Sequence, residues 1–291
     1  MQQGYNLRLG VLTMISASFG FSAMQLTVAL SKTTMPLMQQ VFFRNIICLA
    51  IGLVLCRARR VSCFGSRKQQ PFLFGRSISG LLGVICLFSA SAGARQADVS
   101  ILSKLNPFFV ALFAAVFLHE RVTRRQVAAL FLAFVGAFLV CNPTMNSNLG
   151  PLGLALLNAF FSGVAYILLS YMNGKADPFT IISHFSLVSC AFGGTWLLLT
   201  NSFVRPSGRD LLMLLLIGLF SALGQVCVTF AYRLAPAAQI SILDYAGILF
   251  SLVLGWFFLG ETVPSTSIAG AVLVVFGAWV SLRSKRDAQS N

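Results

Sequence analysis

Two ionisable side chains, Lys104 and Asp244, stand deep inside long apolar stretches of this sequence. Asp244 lies about eight residues into its stretch, roughly 12 Å along a helix. An aspartate is too short to reach water from there, so an ionised Asp244 needs a partner, a water-filled cavity or a bound ligand. A lysine and an aspartate together would bind a zwitterion such as an amino acid, whose two charges require opposite partners. The structural alternatives are that Asp244 only pairs with a neighbouring helix and that Lys104 snorkels to the surface.

Polar side chains within the same stretches extend this candidate substrate site. They are Gln25, Asn106, Asn158, Tyr166, Gln225 and Tyr245. Histidine side chains ordinarily titrate near neutral pH, so His184 is a candidate for proton coupling, although a lone histidine in an apolar stretch also serves as a hydrogen-bonded packing residue. Of the two remaining cations in apolar stretches, we expect Arg44 to be structural or peripheral and Arg76 to snorkel to a nearby surface.

The sequence contains none of the usual catalytic or nucleotide-binding patterns. We find no Ser/His/Asp arrangement, no paired catalytic carboxylates, no P-loop and no cluster of metal ligands. The seven cysteines are scattered without a CxxC pair and are interpreted as small apolar packing residues. We therefore expect no enzyme activity, no metal and no cofactor, and an ATP-driven pump is excluded within this chain.

Composition places these residues in a membrane. The chain has 291 residues, of which 57% are hydrophobic and 10% charged, whereas a soluble domain carries roughly 25% charge. The formal net charge of +14 does not indicate nucleic-acid binding, because the basic residues sit in short loops between apolar runs. The lipid bilayer is therefore the predicted partner of the apolar surface.

Ten apolar runs are long enough to cross a bilayer as helices, which need roughly 20 residues each. The predicted spans are 7–30, 36–56, 72–93, 97–119, 125–141, 150–172, 178–200, 210–233, 236–259 and 264–282. Basic residues are concentrated in loops on the N-terminal side of the membrane, above all in the stretch 57–70, while the other side holds Lys32, Arg95, Arg205 and Arg209. The positive-inside rule therefore predicts that both termini are cytoplasmic.

The spans form an internal duplication. Segments 100–122 and 241–263, at an offset of 141 residues, both begin with Ser-Ile-Leu and both end with Phe-Leu-x-Glu-x-Val. A weaker match at an offset of 143 relates the first spans of the two halves. We predict two five-helix repeats, 1–145 and 150–291, and because five is odd the second crosses the membrane in the opposite sense. The matched Glu120 and Glu261 are expected to cap the first turn of the helix that follows each.

These motifs resemble the EamA family of the drug/metabolite transporter superfamily. The resemblance rests on the two repeat-closing motifs 117–123 and 258–264, on Pro107 in the fourth span and on Arg44-Asn45 in the second. It covers nearly the whole chain and departs from the family pattern at His119, where glycine is common. It implies an all-α membrane protein of ten transmembrane helices in two inverted EamA repeats, with a central cavity lined by spans 1, 3, 4, 6, 8 and 9.

The residues and the resemblance together favour a secondary active transporter of a small polar or amphipathic organic metabolite that works by alternating access. An amino acid or related zwitterion is the first candidate substrate, and the resemblance favours export. The alternative within transport is an importer of a nucleoside-like metabolite or vitamin, such as S-adenosylmethionine or riboflavin. An intramembrane enzyme or a lipid-handling scaffold is a more remote alternative. We expect a monomer or homodimer in the bacterial inner membrane, with proton coupling as one option.

Overall fold

The computed structural model describes residues 5–31, 35–143, 148–260 and 262–283. Lys32, Glu261 and the predicted repeat boundary at 145 lie outside this part of the chain. Within the described residues, ten helical spans are long and apolar enough to cross a membrane. The all-α membrane fold predicted from the sequence is therefore confirmed.

Most of the spans are single helices. In chain order these are α1 (Leu7–Ser31), α2 (Leu37–Arg59), α3 (Gln70–Gly93), α6 (Arg124–Cys141), α7 (Leu149–Tyr171), α8 (Pro178–Leu199), α9 (Gly208–Leu234) and α12 (Ser265–Arg283). The fourth span is broken into α4 (Gln96–Ser103) and α5 (Asn106–Phe117). The ninth is broken into α10 (Ala237–Ile240), a 3₁₀ stretch (Ser241–Tyr245), α11 (Ala246–Leu254) and a π-helical turn (Gly255–Leu259).

The two breaks occupy matching places in the two repeats. In the fourth span, the ring of Pro107 cannot sit against the backbone oxygen four residues earlier, which belongs to Ser103, and α4 ends at that residue. The ninth span has Ile248 at the matching position and narrows to a 3₁₀ stretch instead. At the offset of 141, Lys104 in the first break matches Tyr245 in the second.

Local capping signals fix where several spans begin. Thr123 and Gln126 form a capping box at the start of α6, and Ser207 and Asp210 form another at the start of α9. The Asp177 side chain accepts a hydrogen bond from the Phe179 backbone at the start of α8. These contacts satisfy backbone N–H groups that the first turn of a helix leaves free.

The two halves of the chain pack against each other through pairs of equivalent helix contacts. Helix α1 packs on α9, and its counterpart α7 packs on α3. Helix α2 contacts its own counterpart α8, and α6 contacts its counterpart α12. Each contact maps onto another, or onto itself, when the halves are exchanged, which is the arrangement of inverted repeats around a two-fold axis in the membrane plane. This symmetry brings the two broken spans together near the axis.

Candidate functional site

The two broken spans meet at their breaks, where α5 contacts α10 and the 3₁₀ stretch. Lys104 lies in the break of the fourth span and places its Nζ 2.9 Å from Oδ2 of Asp244. The same ammonium donates a hydrogen bond to the backbone oxygen of Asp244 at 3.0 Å. The two side chains are 20% and 19% exposed, so the ion pair is not sealed from its surroundings.

Tyr245 makes the reciprocal contact across the breaks. Its side chain is fully buried, and its hydroxyl donates a 2.8 Å hydrogen bond to the backbone oxygen of Lys104. A helix break leaves backbone oxygens without helical partners, and inside a membrane the protein itself must satisfy them. Each break therefore supplies a side chain that satisfies a backbone oxygen of the other, and the two side chains come from matching positions of the repeats.

The first span also holds the ninth in place. The Ser18 hydroxyl donates to the backbone oxygen of Leu243 at 3.3 Å, and the Ser22 hydroxyl donates to that of Gly247 at 2.8 Å. These oxygens flank Asp244 on both sides in sequence. The position of the Asp244 carboxylate is thus set by contacts to α1 as well as to the fourth span.

An aromatic pair lies close to the ion pair. Tyr166 on α7 stacks on Tyr232 on α9, with ring centres 5.0 Å apart and an interplanar angle of 21°. Tyr232 is fully buried, and its hydroxyl has no hydrogen-bond partner among the described residues. Tyr166 lies within electrostatic range of Asp244, Arg76 and Arg44. Tyr166 therefore interacts electrostatically with the carboxylate of the ion pair and with two further charges.

The structure buries both of these arginines, which corrects the expected snorkelling of Arg76 and is compatible with the structural alternative for Arg44. Arg44 is only 7% exposed, and its Nε donates to the Ser221 hydroxyl at 2.7 Å. Arg76 is 2% exposed, with its guanidinium carbon 4.1 Å from the centre of the Phe185 ring, so it does not snorkel to a surface. Both are lone cations in apolar spans, and that alone marks a residue as a functional candidate.

Asn158 and His184 make contacts between helices that do not involve the ion pair. The Asn158 amide donates to the backbone oxygen of Gly83 at 2.9 Å, where α7 meets α3. His184 Nδ1 lies 2.9 Å from the Ser77 hydroxyl, and its ring meets Phe74 edge to face. These contacts are compatible with a structural role, and substrate binding by Asn158 and proton coupling by His184 stay predictions.

The remaining predicted site residues differ in burial. Asn106 and Gln225 are each 5% exposed, whereas Gln25 on α1 is exposed. Oδ1 of Asn106 and Nε2 of Gln225 lack hydrogen-bond partners among the described residues. Buried polar atoms without partners mark places where a water or ligand is expected. Asn106, at the start of α5, and Gln225 are therefore the stronger candidates of the three.

Glu120 links the two repeats rather than capping its own helix. Its carboxylate oxygens accept hydrogen bonds from the backbone N–H groups of Ala237 and Ala238 at 3.0 and 3.1 Å. The predicted cap on the helix that follows it is wrong, because Thr123 and Gln126 cap α6. The carboxylate instead satisfies the free N–H groups that begin the ninth span, where a negative charge is favourable.

We expect the Glu120→Ala variant to be less stable than the wild type by about 2 kcal/mol, because two N–H groups at the start of α10 lose a charged acceptor. Thermal unfolding of the detergent-purified protein measures this loss. Glu120→Gln, which keeps one acceptor oxygen and the length of the side chain, should lose less. Equal melting temperatures for wild type and Glu120→Ala would show that the contact between the repeats contributes nothing to stability.

Comparison with known proteins gives one family for both halves. The model of the EamA-like transporter family matches residues 8–142 and 150–283. The chain is 34% identical over 282 residues to the pseudopaline exporter CntI of Pseudomonas aeruginosa, covering 96% of this chain and 98% of that protein. It is 25% identical over 280 residues to a riboflavin transporter of Rhizobium johnstonii, covering 95% and 92%.

A solved crystal structure supports the fold independently. It superposes with a TM-score of 0.84 at 19% identity and covers 97% of this chain and 99% of its own. The named relatives are transporters, and the ten apolar spans make this chain a multi-pass membrane protein. The resemblance seen in the repeat motifs is confirmed, and the chain belongs to the EamA-like transporter family of the drug/metabolite transporter superfamily.

Proposed function

We propose that this protein is a secondary active exporter of an amino acid or related zwitterion, and that the crossing of the two broken spans is its substrate site. The observation that carries the proposal is the Lys104–Asp244 ion pair, whose two charges come from opposite repeats. The ammonium of a zwitterion matches Asp244, and its carboxylate matches Lys104. Tyr245, Tyr166, Asn106 and Gln225 supply polar and aromatic contacts around the pair, with Gln25 and Asn158 as outer candidates.

Substrate binding at this pair would couple to the movement of the two repeats. In the empty site the charges neutralise each other, which a low-dielectric interior requires. A bound zwitterion takes over both charges, so the direct contact between the breaks is no longer needed. The repeats then have two arrangements that differ in this contact, and alternating access requires such a pair of states.

The similarity to the pseudopaline exporter supports export over import, since that relative is 34% identical while the riboflavin transporter is 25% identical. Import of riboflavin or a similar flat molecule is the second candidate. The stacked Tyr166–Tyr232 pair favours it, because aromatic faces bind flat rings. Proton coupling through His184 is a further part of the proposal, in which protonation of the Ser77-bound imidazole accompanies transport.

Efflux from proteoliposomes tests the proposal. Purified protein is reconstituted into vesicles loaded with amino acids, pseudopaline, S-adenosylmethionine and riboflavin, and the compounds that leave are measured by mass spectrometry. We expect amino-acid-like zwitterions to leave and riboflavin to be retained. Efflux of riboflavin alone would favour the second candidate, and efflux of none of these compounds would contradict the proposed function.

We also propose that both termini are cytoplasmic, with repeats at 1–145 and 150–291, in a bacterial inner membrane. In a cysteine-free background, a membrane-impermeant thiol reagent should label Ser66→Cys only from the cytoplasmic side, because this exposed residue lies in the basic stretch after α2. Phe203→Cys, at a 54% exposed position between α8 and α9, should be labelled only from outside. The reverse pattern would refute this orientation.

A further inference from the structure

We infer that the substrate carries at least two carboxylates beside its ammonium. Lys104 binds one of these carboxylates, and Arg44 and Arg76 bind the other. The inference depends on the proposed function and narrows its substrate class to acidic amino acids and carboxylated amino-acid derivatives. Two observations among the described residues carry it: buried guanidinium donors of Arg76 that lack hydrogen-bond partners, and a surplus of positive charge around the ion pair.

Arg76 is built into the interior but left unsatisfied. It is 2% exposed, and among the described residues its Nε and Nη1 have no hydrogen-bond partner. The ring of Phe185 lies against its guanidinium, and a side chain at Gly80 would place a Cβ 2.8 Å from Nη1. Gly80 thus leaves room for the Arg76 guanidinium, and the described residues give its Nε and Nη1 no acceptor. A carboxylate ligand would supply acceptor oxygens in the geometry that a guanidinium prefers.

Arg44 adds a second buried cation to the same region. Its contact with the Ser221 hydroxyl satisfies one donor, and no carboxylate in the described part of the chain forms an ion pair with it. Arg44 and Arg76 lie within electrostatic range of each other and of Tyr166, which in turn is in range of Asp244. The two guanidiniums and the ion pair therefore belong to one charged region around the tyrosine ring.

Apart from Asp244, the carboxylates in the described part of the chain have partners elsewhere. Asp244 pairs with Lys104, and the other four each have contacts of their own: Asp98, Glu120, Asp177 and Asp210. Among the described residues, this region thus holds three cations, Arg44, Arg76 and Lys104, against the single carboxylate of Asp244. Uncompensated cations inside a membrane are costly. A neutral zwitterion would leave this surplus unchanged, whereas each extra carboxylate on the ligand reduces it.

Matched pairs of acid and amide test the inference. Proteoliposomes are loaded with equal amounts of L-glutamate, L-glutamine, L-aspartate and L-asparagine, and efflux of each is followed by mass spectrometry. We expect wild-type protein to release each acid about tenfold faster than its amide, since a charged hydrogen-bonding partner is worth that much. Arg76→Gln and Arg44→Gln should lose this preference, Arg76→Lys should keep part of it, and Arg67→Gln, at an exposed loop position, should keep all of it.

The outcomes separate this inference from the function on which it depends. If wild-type protein releases amides as fast as acids, zwitterion transport stands and the inference is overturned. The inference also fails if Arg76→Gln and Arg44→Gln, shown by gel filtration to be folded, keep the full preference for acids. If no compound leaves the vesicles, the proposed function fails and the inference falls with it. The wild-type comparison needs no variant, so a variant that does not fold leaves the test intact.

Discussion

Replacing Asp244 by asparagine should reduce transport about 100-fold while the protein still folds and reaches the membrane. Asparagine keeps the shape of the side chain and removes its charge, which leaves the Lys104 ammonium with neutral oxygen acceptors at residue 244 and no carboxylate. Removing one partner of a buried charge pair typically costs about 3–5 kcal/mol, and the partial exposure of this pair lowers that figure. Initial efflux rates from proteoliposomes measure the effect.

Asp210→Asn is the matched control for this experiment. Asp210 is an acidic residue at the exposed start of α9, where asparagine can still accept the hydrogen bonds of the capping box. It should transport at the wild-type rate. Transport by Asp244→Asn at the wild-type rate between about pH 6 and 8 would show that this carboxylate is structural, because a carboxylate that binds the substrate's ammonium cannot lose its charge without a loss of rate.

Lys104→Met should impair transport less than Asp244→Asn in the same assay. The remaining Asp244 carboxylate is 19% exposed, so water can solvate it, and it can still bind the ammonium of the substrate. Asp244→Asn, in contrast, removes the carboxylate that would bind this ammonium and leaves Lys104 without its charged partner inside the membrane. The asymmetry between the two variants follows from this difference.

Gly270→Val should destabilise the protein by about 3 kcal/mol or more, since overpacking against backbone cannot be relieved by side-chain rotation. A Cβ at Gly270 would lie 2.5 Å from the backbone oxygen of Gly136, and a Cβ at Gly136 would lie 2.6 Å from that of Gly270. Helices α6 and α12 therefore touch backbone to backbone at this point. Any larger residue must push the two closing helices of the repeats apart.

Gly153→Val is the control for this packing prediction. Gly153 lies on α7, where an added Cβ would meet nothing within 4 Å, so the same substitution there changes only helix propensity. Thermal unfolding in detergent should show a much lower midpoint for Gly270→Val than for Gly153→Val. Equal midpoints would mean that the close approach of α6 and α12 does not contribute to stability.

The apolar runs, the repeat and its motifs were sufficient to predict the spans and the family. Length and hydropathy alone determine whether a segment can cross a bilayer, and these are properties of the sequence. The break in the ninth span was not predictable in the same way, because no proline interrupts it and Ile248 stands where Pro107 stands in the other repeat. Its 3₁₀ stretch depends on contacts from α1 and the fourth span.

The candidate site was harder to predict because depth along a helix does not say which way a side chain faces. Arg76 lies near one end of α3, which suggested that it would snorkel, yet α8 covers it with Phe185. Glu120 lies next to α6, which suggested a local cap, yet its partners begin the ninth span. In both residues a contact between distant segments replaced the local alternative that the sequence favoured.

The most direct test of the central claim is equilibrium binding of a substrate to the crossing of the two broken spans. Once efflux has identified a transported compound, its Kd is measured by isothermal titration for purified wild type, Asp244→Asn and Asp210→Asn. We expect a Kd about 100-fold weaker for Asp244→Asn, corresponding to the loss of about 3 kcal/mol, and an unchanged Kd for Asp210→Asn. The same Kd for wild type and Asp244→Asn would place the substrate elsewhere and contradict this assignment of the site.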